Sequence, residues 1–228
     1  MYEERRSRLQ GAFVWRRRGA GEVVRILPDG CMDLIWASDG RLIVAGPDTA
    51  AQIFESSPGP VLTGLRFAPG IGPIVLGVAA HELRDRRVPL DEIWRPADAV
   101  RLANRLAAAA APGTVLETVA AVRLGGLEGP RRLHETVRLI REGRPIAEVA
   151  DRLGMSDRHL RRRALDDFGY GPKTLARILR ARRAVTLATT GERFADIAAR
   201  AGYADQAHLA REVRRLAGVP LSRLAAGP

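Results

Sequence analysis

The sequence predicts an α+β protein in which a small β-rich N-terminal part, a partial barrel with linker helices, precedes an all-α C-terminal part. Short apolar runs separated by glycine- and proline-containing clusters end near residue 67, and helical spacing of apolar residues prevails from residue 91 onward. In addition, an apolar pattern that ends at Gly154 returns 48 residues later at Gly202. The C-terminal part is therefore expected to contain two similar helical units.

Five runs rich in β-branched, aliphatic and aromatic residues predict strands, at residues 23–27, 32–36, 41–45, 51–55 and 61–67. The clusters PDG, SDG, GP and SSPGP between them favour turns, because glycine reaches positive φ and proline fixes φ. An antiparallel meander or a partial barrel is the simplest closure. Residues 86–90 are expected to add a strand or an extended connection, and the run WRRRG at 15–19 a solvated edge rather than a phosphate contact.

Strong helix formers dominate residues 91–111 and 114–124, which predicts two linker helices. The sequence GGLEGP at 125–130 is the best candidate for a linker between domains. We therefore divide the chain into an N-terminal sensor or assembly domain, 1–125, and a helical domain, 126–228. The amphipathic pair of linker helices fits either a face shared in a homodimer or packing within one chain.

Two helix-turn-helix units are predicted at about residues 146–167 and 194–216, because each combines two short helices with a glycine between them. The first helix of each unit has apolar residues at positions i, i+3, i+4 and i+7, and these are Ile146, Val149, Ala150 and Leu153, then Phe194, Ile197, Ala198 and Ala201. Small alanines suit the crossing point of the two helices, and the glycines can adopt the left-handed conformation that a tight turn needs.

The second helix of each unit carries basic side chains away from its buried leucine. With Leu160 pointing inward, Arg158 and Arg162 point nearly opposite and Arg161 lies on the flank. Arginine can bind guanine and glutamine can bind adenine in a major groove, while arginine or histidine can hold a phosphate. The candidate DNA-binding residues are Ser156, Arg158, His159, Arg161, Arg162, Gln206, His208, Arg211, Arg214 and Arg215.

The positive charge lies in the same half of the chain as these helices. Of the net charge of +11, residues 1–125 contribute 16 Lys+Arg against 14 Asp+Glu, whereas residues 126–228 contribute 21 against 12. An arginine-rich helix face is usually only solvated. Two such faces in the basic half favour nucleic acid as the partner.

The C-terminal residues also resemble a known family. Residues 131–226 resemble the C-terminal DNA-binding domain of AraC/XylS transcriptional regulators, most closely in IAARAGYADQAHLAREVRRLAG of the second unit. The resemblance implies that Ser156 through Asp167 and Asp205 through Leu216 are the two recognition helices. The chain departs from the family pattern in three places, which are Ala164 and Leu175, where large aromatic residues are usual, and Leu221, where proline is usual.

The N-terminal segments LPDGCMDLIW, VAGP, GLRFAPG and ELRDRRVPL resemble the sensor region of a subgroup of these regulators. Such domains are generally small, β-rich and somewhat cupin-like. The resemblance implies a sequence-specific regulator that reads two adjacent major-groove segments of a promoter site in double-stranded DNA, with a small-molecule effector acting at the N-terminal domain. RNA polymerase and a second copy of the chain are further candidate partners, and no membrane contact is expected.

The titratable residues of the N-terminal part leave several alternatives open. Cys31 is the only cysteine, which excludes an internal disulfide and fits a cytoplasmic protein. It is either a buried inert residue, as its apolar neighbours favour, or a reactive thiol. Asp33, Arg66 and Trp36 are candidates for an effector pocket, although strand alternation places Asp33 and Trp36 on opposite faces.

We expect no metal site, because the four histidines are scattered along the chain, at His81, His134, His159 and His208. The sequence also has no glycine-rich phosphate loop, no Ser-His-Asp order and no paired carboxylate set, so we expect no cofactor and no enzymatic activity. Two rival interpretations remain. One is a nonspecific nucleic-acid binder explained by net charge alone. The other is a small enzyme centred on Cys31, with DNA binding for targeting.

Overall fold

A computed structural model describes residues 1–19, 21–56, 58–125 and 129–225. The N-terminal part is β-rich and the C-terminal part is helical, so the predicted α+β class is confirmed. The strands are β1 Tyr2–Arg6, β2 Phe13–Arg17, β3 Glu22–Ile26, β4 Asp33–Ala37, β5 Leu42–Ala45, β6 Gln52–Ser56, β7 Leu62–Arg66 and β8 Arg87–Pro89.

Six of the strands form an antiparallel sheet in the order β1-β2-β7-β4-β5-β8, and β3 pairs with β6 in a separate two-stranded ribbon. The order is therefore not that of a simple meander. Sequence reasoning missed β1, whose residues are largely arginine and glutamate, and β2, whose apolar run of Phe13, Val14 and Trp15 is short and leads directly into arginines. All of β1 is exposed, so pairing with β2 rather than burial holds it in place. Similarly, the basic run at 15–19 starts within β2, an interior strand whose Trp15 is buried.

The register of the sheet separates an apolar face from a polar one. Val14 and Leu34 both pair with Leu65, and all three are buried. This face packs against α1 Ile71–Leu76, and against α3 Pro112–Leu124, which α2 Pro96–Ala107 contacts in turn. The predicted linker helices thus use their apolar stripes within the chain, and the first of them begins at Pro96 after a 3₁₀ turn at Leu90–Glu92.

Glu117 on α3 ties the end of β1 to the helical layer. Its carboxylate is buried and accepts hydrogen bonds from the Arg5 guanidinium at 2.9 Å, the Ser7 hydroxyl at 2.7 Å and the Arg8 backbone N–H at 3.0 Å. Burial alone would raise the pKa of Glu117, but these donors more than offset it and lower the pKa to about 2. The ionised carboxylate is therefore a structural link between the first strand and α3.

Seven helices follow in the described C-terminal residues, and the predicted helix-turn-helix units lie at the expected positions. They are α4 Gly129–Arg141, α5 Ile146–Arg152, α6 Asp157–Phe168, α7 Pro172–Ala188, α8 Phe194–Ala201, α9 Gln206–Ala217 and α10 Leu221–Ala225. The predicted domain boundary falls at residues 126–128, outside the described residues. None of the helices in the described ranges combines the length and apolar character that a membrane crossing requires.

The buried apolar residues form two clusters of unequal size. The larger cluster joins the sheet and α1–α3 to the first helix-turn-helix unit, so Leu34 and Leu160 belong to one continuous core. The smaller cluster lies within the second unit and the end of α7, and it includes Ala184, Ile197 and Leu209. The two units therefore have different structural surroundings.

Candidate nucleic-acid interface

The turn of the first unit has the geometry that its glycine predicts. Gly154 adopts a φ of +65°, and the next N–H, of Met155, donates to the Ala150 carbonyl at 2.9 Å. Ala150 itself is buried. Helix α6 then begins at Ser156, whose hydroxyl accepts a hydrogen bond from the His159 N–H at 3.2 Å.

The second unit repeats this arrangement contact by contact. Gly202 has a φ of +80°, and the Tyr203 N–H donates to the Ala198 carbonyl at 2.8 Å. Helix α9 begins at Asp205, whose carboxylate accepts from the His208 N–H at 2.6 Å. The same hydrogen bonds thus set the second helix of each unit relative to the first.

Most of the predicted DNA-binding residues lie on the exposed faces of α6 and α9. Leu160 and Leu209 are buried, which fixes the opposite faces outward. The exposed members of the predicted set are Ser156, Arg158, His159, Arg161, Arg162, Gln206, Arg211, Arg214 and Arg215. Among the described residues none of these six arginines forms an ion pair. Two basic surfaces, one on each helix, are therefore available to an anionic partner.

His208 differs from the rest of the predicted set. Its ring is only half-exposed and meets the Tyr203 ring edge-on, with 5.2 Å between the ring centroids. Its Nε2 lies 3.7 Å from a carboxylate oxygen of Glu212. His208 thus belongs to a polar cluster inside the second unit, which the spacing along the helix did not indicate.

That cluster joins α9 to the connecting helix α7. Glu212 is buried, and its two carboxylate oxygens accept from Arg177 at 2.8 Å and from Arg180 at 2.6 Å. The Arg180 guanidinium also lies over the Tyr203 ring, 4.5 Å from its centroid. A buried carboxylate with two arginine partners fixes the position of α9 against α7.

The N-terminal part contacts the C-terminal ends of α6 and α9. The Ala51 N–H donates to the Leu216 carbonyl at 2.8 Å, and Arg25 on β3 donates to the Ala217 carbonyl at 2.6 Å. At the end of α6, Arg84 donates to the Gly169 carbonyl at 3.3 Å. These donors satisfy carbonyls that a helix end leaves without intrahelical partners.

Phe168, the last residue of α6, packs against the N-terminal part. A Cβ atom at Gly70 would lie 2.8 Å from Cε1 of Phe168, so only glycine fits beside this ring. Ala164 and Leu175, two of the departures from the family pattern, are buried in the same core. The first unit therefore uses its apolar residues to hold the N-terminal part.

The candidate effector residues are divided between the two faces of the sheet. Asp33 and Arg66 are paired in the sheet register, and 3.7 Å separates Arg66 Nε from Asp33 Oδ1. Trp15 Nε1 donates a hydrogen bond to the same oxygen at 2.6 Å. Burial raises the pKa of Asp33 to about 6, although the nearby positive charge of Arg66 acts to lower it. Trp36 lies on the other face, paired with Thr63, as strand alternation predicts.

A cavity of about 950 Å³ lies between the polar face of the sheet and the helical part. Arg66, Asp29 and Cys31 line it from the N-terminal side, and α4 and α7 line it from the other. Desolvation, reinforced by the nearby Asp29 carboxylate, raises the pKa of the Cys31 thiol. Cys31 is accordingly held as a thiol, which does not favour a nucleophilic role.

Comparison with protein families identifies two parts of the chain. Residues 149–226 match a model described as a helix-turn-helix domain, and they span both units. The chain carries a helix-turn-helix domain of the AraC type. Residues 12–89, which contain strands β2 to β8, match a domain of unknown function, DUF6597. The AraC-type domain makes the protein a DNA-binding transcription regulator.

Comparison with solved structures found similar chains. ToxT from Vibrio cholerae shares 12% identity over 95% of this chain and 97% of that chain, with a TM-score of 0.51. An unsaturated fatty acid-bound form of ToxT shares 10% identity over 94% of both chains, with a TM-score of 0.47. The transcriptional regulator CdpR from Pseudomonas aeruginosa shares 20% identity over 76% of this chain and 47% of that chain, with a TM-score of 0.37. No curated protein sequence matches the chain.

Proposed function

We propose that the AraC-type domain binds a specific promoter sequence by placing α6 and α9 in two adjacent major-groove segments. The observation that carries this proposal is the repeated pair of capped helices, each with exposed arginines that form no ion pair among the described residues. Helix α7 has 17 residues and therefore a length of roughly 26 Å. Successive major-groove faces lie about 34 Å apart, so one chain can reach both.

The bases are expected to be contacted mainly by Arg162 and Arg211, which occupy matching places two residues after the buried leucine of each helix. A guanidinium can donate two hydrogen bonds to one guanine, which gives specificity at a single base pair. Ser156 holds its own helix end, and His208 belongs to the Glu212 cluster, so we assign them a positioning role.

The test is a binding selection from a randomised duplex library, followed by titration of variants on the selected site. Arg162→Ala and Arg211→Ala should each lose about 1–3 kcal/mol of binding free energy and relax specificity at one base position. Arg105→Ala, an exposed arginine on α2, is the matched control and should leave binding unchanged. Equal weakening on selected and random duplexes would assign the two arginines to phosphate contacts.

A nonspecific binder is the alternative that net charge alone would explain. Competition with a large excess of random DNA distinguishes a specific regulator from a nonspecific binder, because only a specific regulator stays bound to its selected site. If the random duplex displaces the protein in proportion to its concentration, sequence-specific regulation is refuted.

We further propose that the N-terminal part modulates DNA binding in response to a small-molecule effector. Its support is the contact of this part with the ends of both recognition helices, through Ala51 and Arg25 at α9 and Arg84 at α6. A ligand that prefers one arrangement of the two parts would shift the position of these helices. Cys31→Ser should leave DNA binding intact, and loss of a turnover reaction in this variant would favour the enzyme alternative.

A further inference from the structure

The cavity between the two parts has an unusual distribution of charge. Its helical wall carries seven cationic side chains, with Arg141 on α4, Arg144 just after it, and five on α7, namely Lys173, Arg177, Arg180, Arg182 and Arg183. The carboxylate of Glu142 on the same wall is already paired with Arg138 and Arg144. On the opposite wall the carboxylates of Glu4 and Asp29 are already paired with Arg66, at 3.2 and 3.6 Å. The N-terminal wall therefore does not neutralise the helical wall.

Four of the seven cations form no ion pair within the described ranges of the chain, and these are Arg141, Lys173, Arg182 and Arg183. Like charges gathered along one wall of a cavity repel one another, and an anion between them would reduce this repulsion. If α7 were only a surface helix, its cationic face would be open to solvent, with no second wall facing it. Here the wall opposite bounds a partly open cavity of about 950 Å³, which is enough for a small molecule.

Of the three remaining cations, Arg144 pairs with Glu142 and Glu148, whereas Arg177 and Arg180 connect this cavity to α9. Both line it, and both donate to the buried carboxylate of Glu212. Arg180 Nε is buried and has no hydrogen-bond partner in the described structure, so this guanidinium retains a free donor. An anion in the cavity would compete with Glu212 for the same two guanidinium groups.

We propose that this cavity binds a compact small molecule with at least two negative groups, phosphate or carboxylate, and that the ligand draws Arg177 and Arg180 away from Glu212. Several cations spread along one wall match a polyanion, whereas a single carboxylate would leave most of them unneutralised. The loss of the Glu212 contacts loosens α9 on α7 and changes DNA binding. The proposed binding site does not depend on the proposed function, and only the effect on DNA binding rests on it.

The binding test uses the full chain with pyrophosphate and citrate as compact polyanions, and oleate as a single carboxylate, in calorimetry at constant ionic strength. At least one polyanion should bind with one-to-one stoichiometry and more tightly than oleate. Arg182→Gln/Arg183→Gln should weaken this binding by about tenfold, the effect expected for the loss of a charged hydrogen-bond donor. Arg101→Gln/Arg105→Gln on α2 removes the same charge elsewhere and should have no effect.

Arg161→Gln/Arg162→Gln distinguishes the cavity from the DNA-facing surface, because these residues lie on the exposed face of α6. Polyanion binding should survive in this variant. The site is refuted if neither polyanion saturates, if oleate binds more tightly, or if the Arg161→Gln/Arg162→Gln variant loses binding while Arg182→Gln/Arg183→Gln keeps it.

The coupling to α9 is tested by hydrogen exchange and by Glu212→Gln. The polyanion should speed exchange of the α9 amides and alter affinity for the selected DNA site, and Glu212→Gln should bind it more tightly. Binding without any change in exchange or DNA affinity would refute the coupling and leave the site. Failure to select a DNA sequence at all would refute the proposed function and leave the calorimetric result standing.

Discussion

The two helix-turn-helix units share local geometry but differ in what stabilises them. Both have a left-handed glycine in the turn and a side-chain cap at the start of the second helix. The first unit, however, buries Leu160 and Phe168 in a core that continues into the N-terminal sheet. The second unit has a smaller core around Ile197 and Leu209, and Leu216 of α9 belongs to the larger one. A repeated sequence motif thus fixes the shape of a unit without fixing the unit's dependence on the rest of the chain.

The second unit is joined to α7 and to the N-terminal part by polar contacts as well as apolar ones. Arg25 and Ala51 bind the end of α9, and Arg177 and Arg180 bind Glu212. Polar contacts are more easily exchanged for water or for a ligand than a continuous apolar core. The second recognition helix is therefore the one that we expect to move when the N-terminal part responds to a ligand.

The largest expected effect comes from Phe168→Ala, which should destabilise the chain by about 3–5 kcal/mol because it leaves a cavity in the shared core. All three tryptophans lie in the N-terminal part, at Trp15, Trp36 and Trp94. Their fluorescence should therefore report this loss as a lower urea midpoint.

Leu209→Ala is the matched change in the smaller core, with an expected cost of about 2–5 kcal/mol. It should increase hydrogen exchange in α8 and α9 and leave the tryptophan midpoint nearly unchanged. If both variants shift the tryptophan signal equally, the two units are not independent and the comparison fails.

The pH dependence of stability offers a further test of the difference between the two cores, because Glu117 lies on α3, a helix of the larger core. Its pKa of about 2 lies below the ordinary value of 4.5, so the ionised form contributes about 3 kcal/mol of stability at neutral pH. This contribution is complete above pH about 4.5 and is lost as the pH falls toward 2. Glu117→Gln should lower stability at pH 7 and flatten the dependence on pH in this range.

The measurement is the urea midpoint of the tryptophan signal from pH 2 to pH 7. Glu135→Gln, an exposed carboxylate on α4 that pairs with Arg138, is the control and should change the curve little. A Glu117→Gln curve parallel to that of the unmodified chain would show that the carboxylate is not the acid-sensitive link.

The smallest expected effect concerns the polar link between β3 and α9. Arg25→Gln removes the charged donor that binds the Ala217 carbonyl. We expect it to lower the free energy of unfolding by about 1.5 kcal/mol, a typical contribution of a hydrogen bond to a charged group. The loss should show as faster exchange at the end of α9, with α6 unaffected. Arg41→Gln, an exposed arginine paired with Asp39 in a turn, is the control. Faster exchange in α6 as well would mean that the ribbon holds both units.

The helical units could be predicted from the sequence because apolar spacing, caps and glycines are local signals. Gly154 and Gly202 adopt the predicted left-handed turn conformation, and Ser156 and Asp205, residue types that favour helix starts, cap the helices that follow. By contrast, β1 carries no apolar pattern, since it is an exposed edge strand held by its neighbour. Its pairing is decided by residues far away in the sequence.

The polar contacts inside the second unit could not be predicted from the sequence either. Glu212 meets Arg177 and Arg180 from 35 and 32 positions away, and His208 turns toward this cluster rather than freely outward. Helical spacing predicts which face a residue occupies, but not which distant charge meets it there. The contacts to DNA remain a prediction for the same reason, since they depend on groups outside the chain.

The bond from Ala51 to Leu216 runs between main-chain atoms, so it does not depend on which side chains stand at either position. Any residue except proline at position 51 can supply the same N–H. The side chains that line the cavity can therefore change while this main-chain bond between the N-terminal part and α9 persists. Under the proposed function, substitutions in the cavity would alter which ligand it accepts without removing this connection to α9.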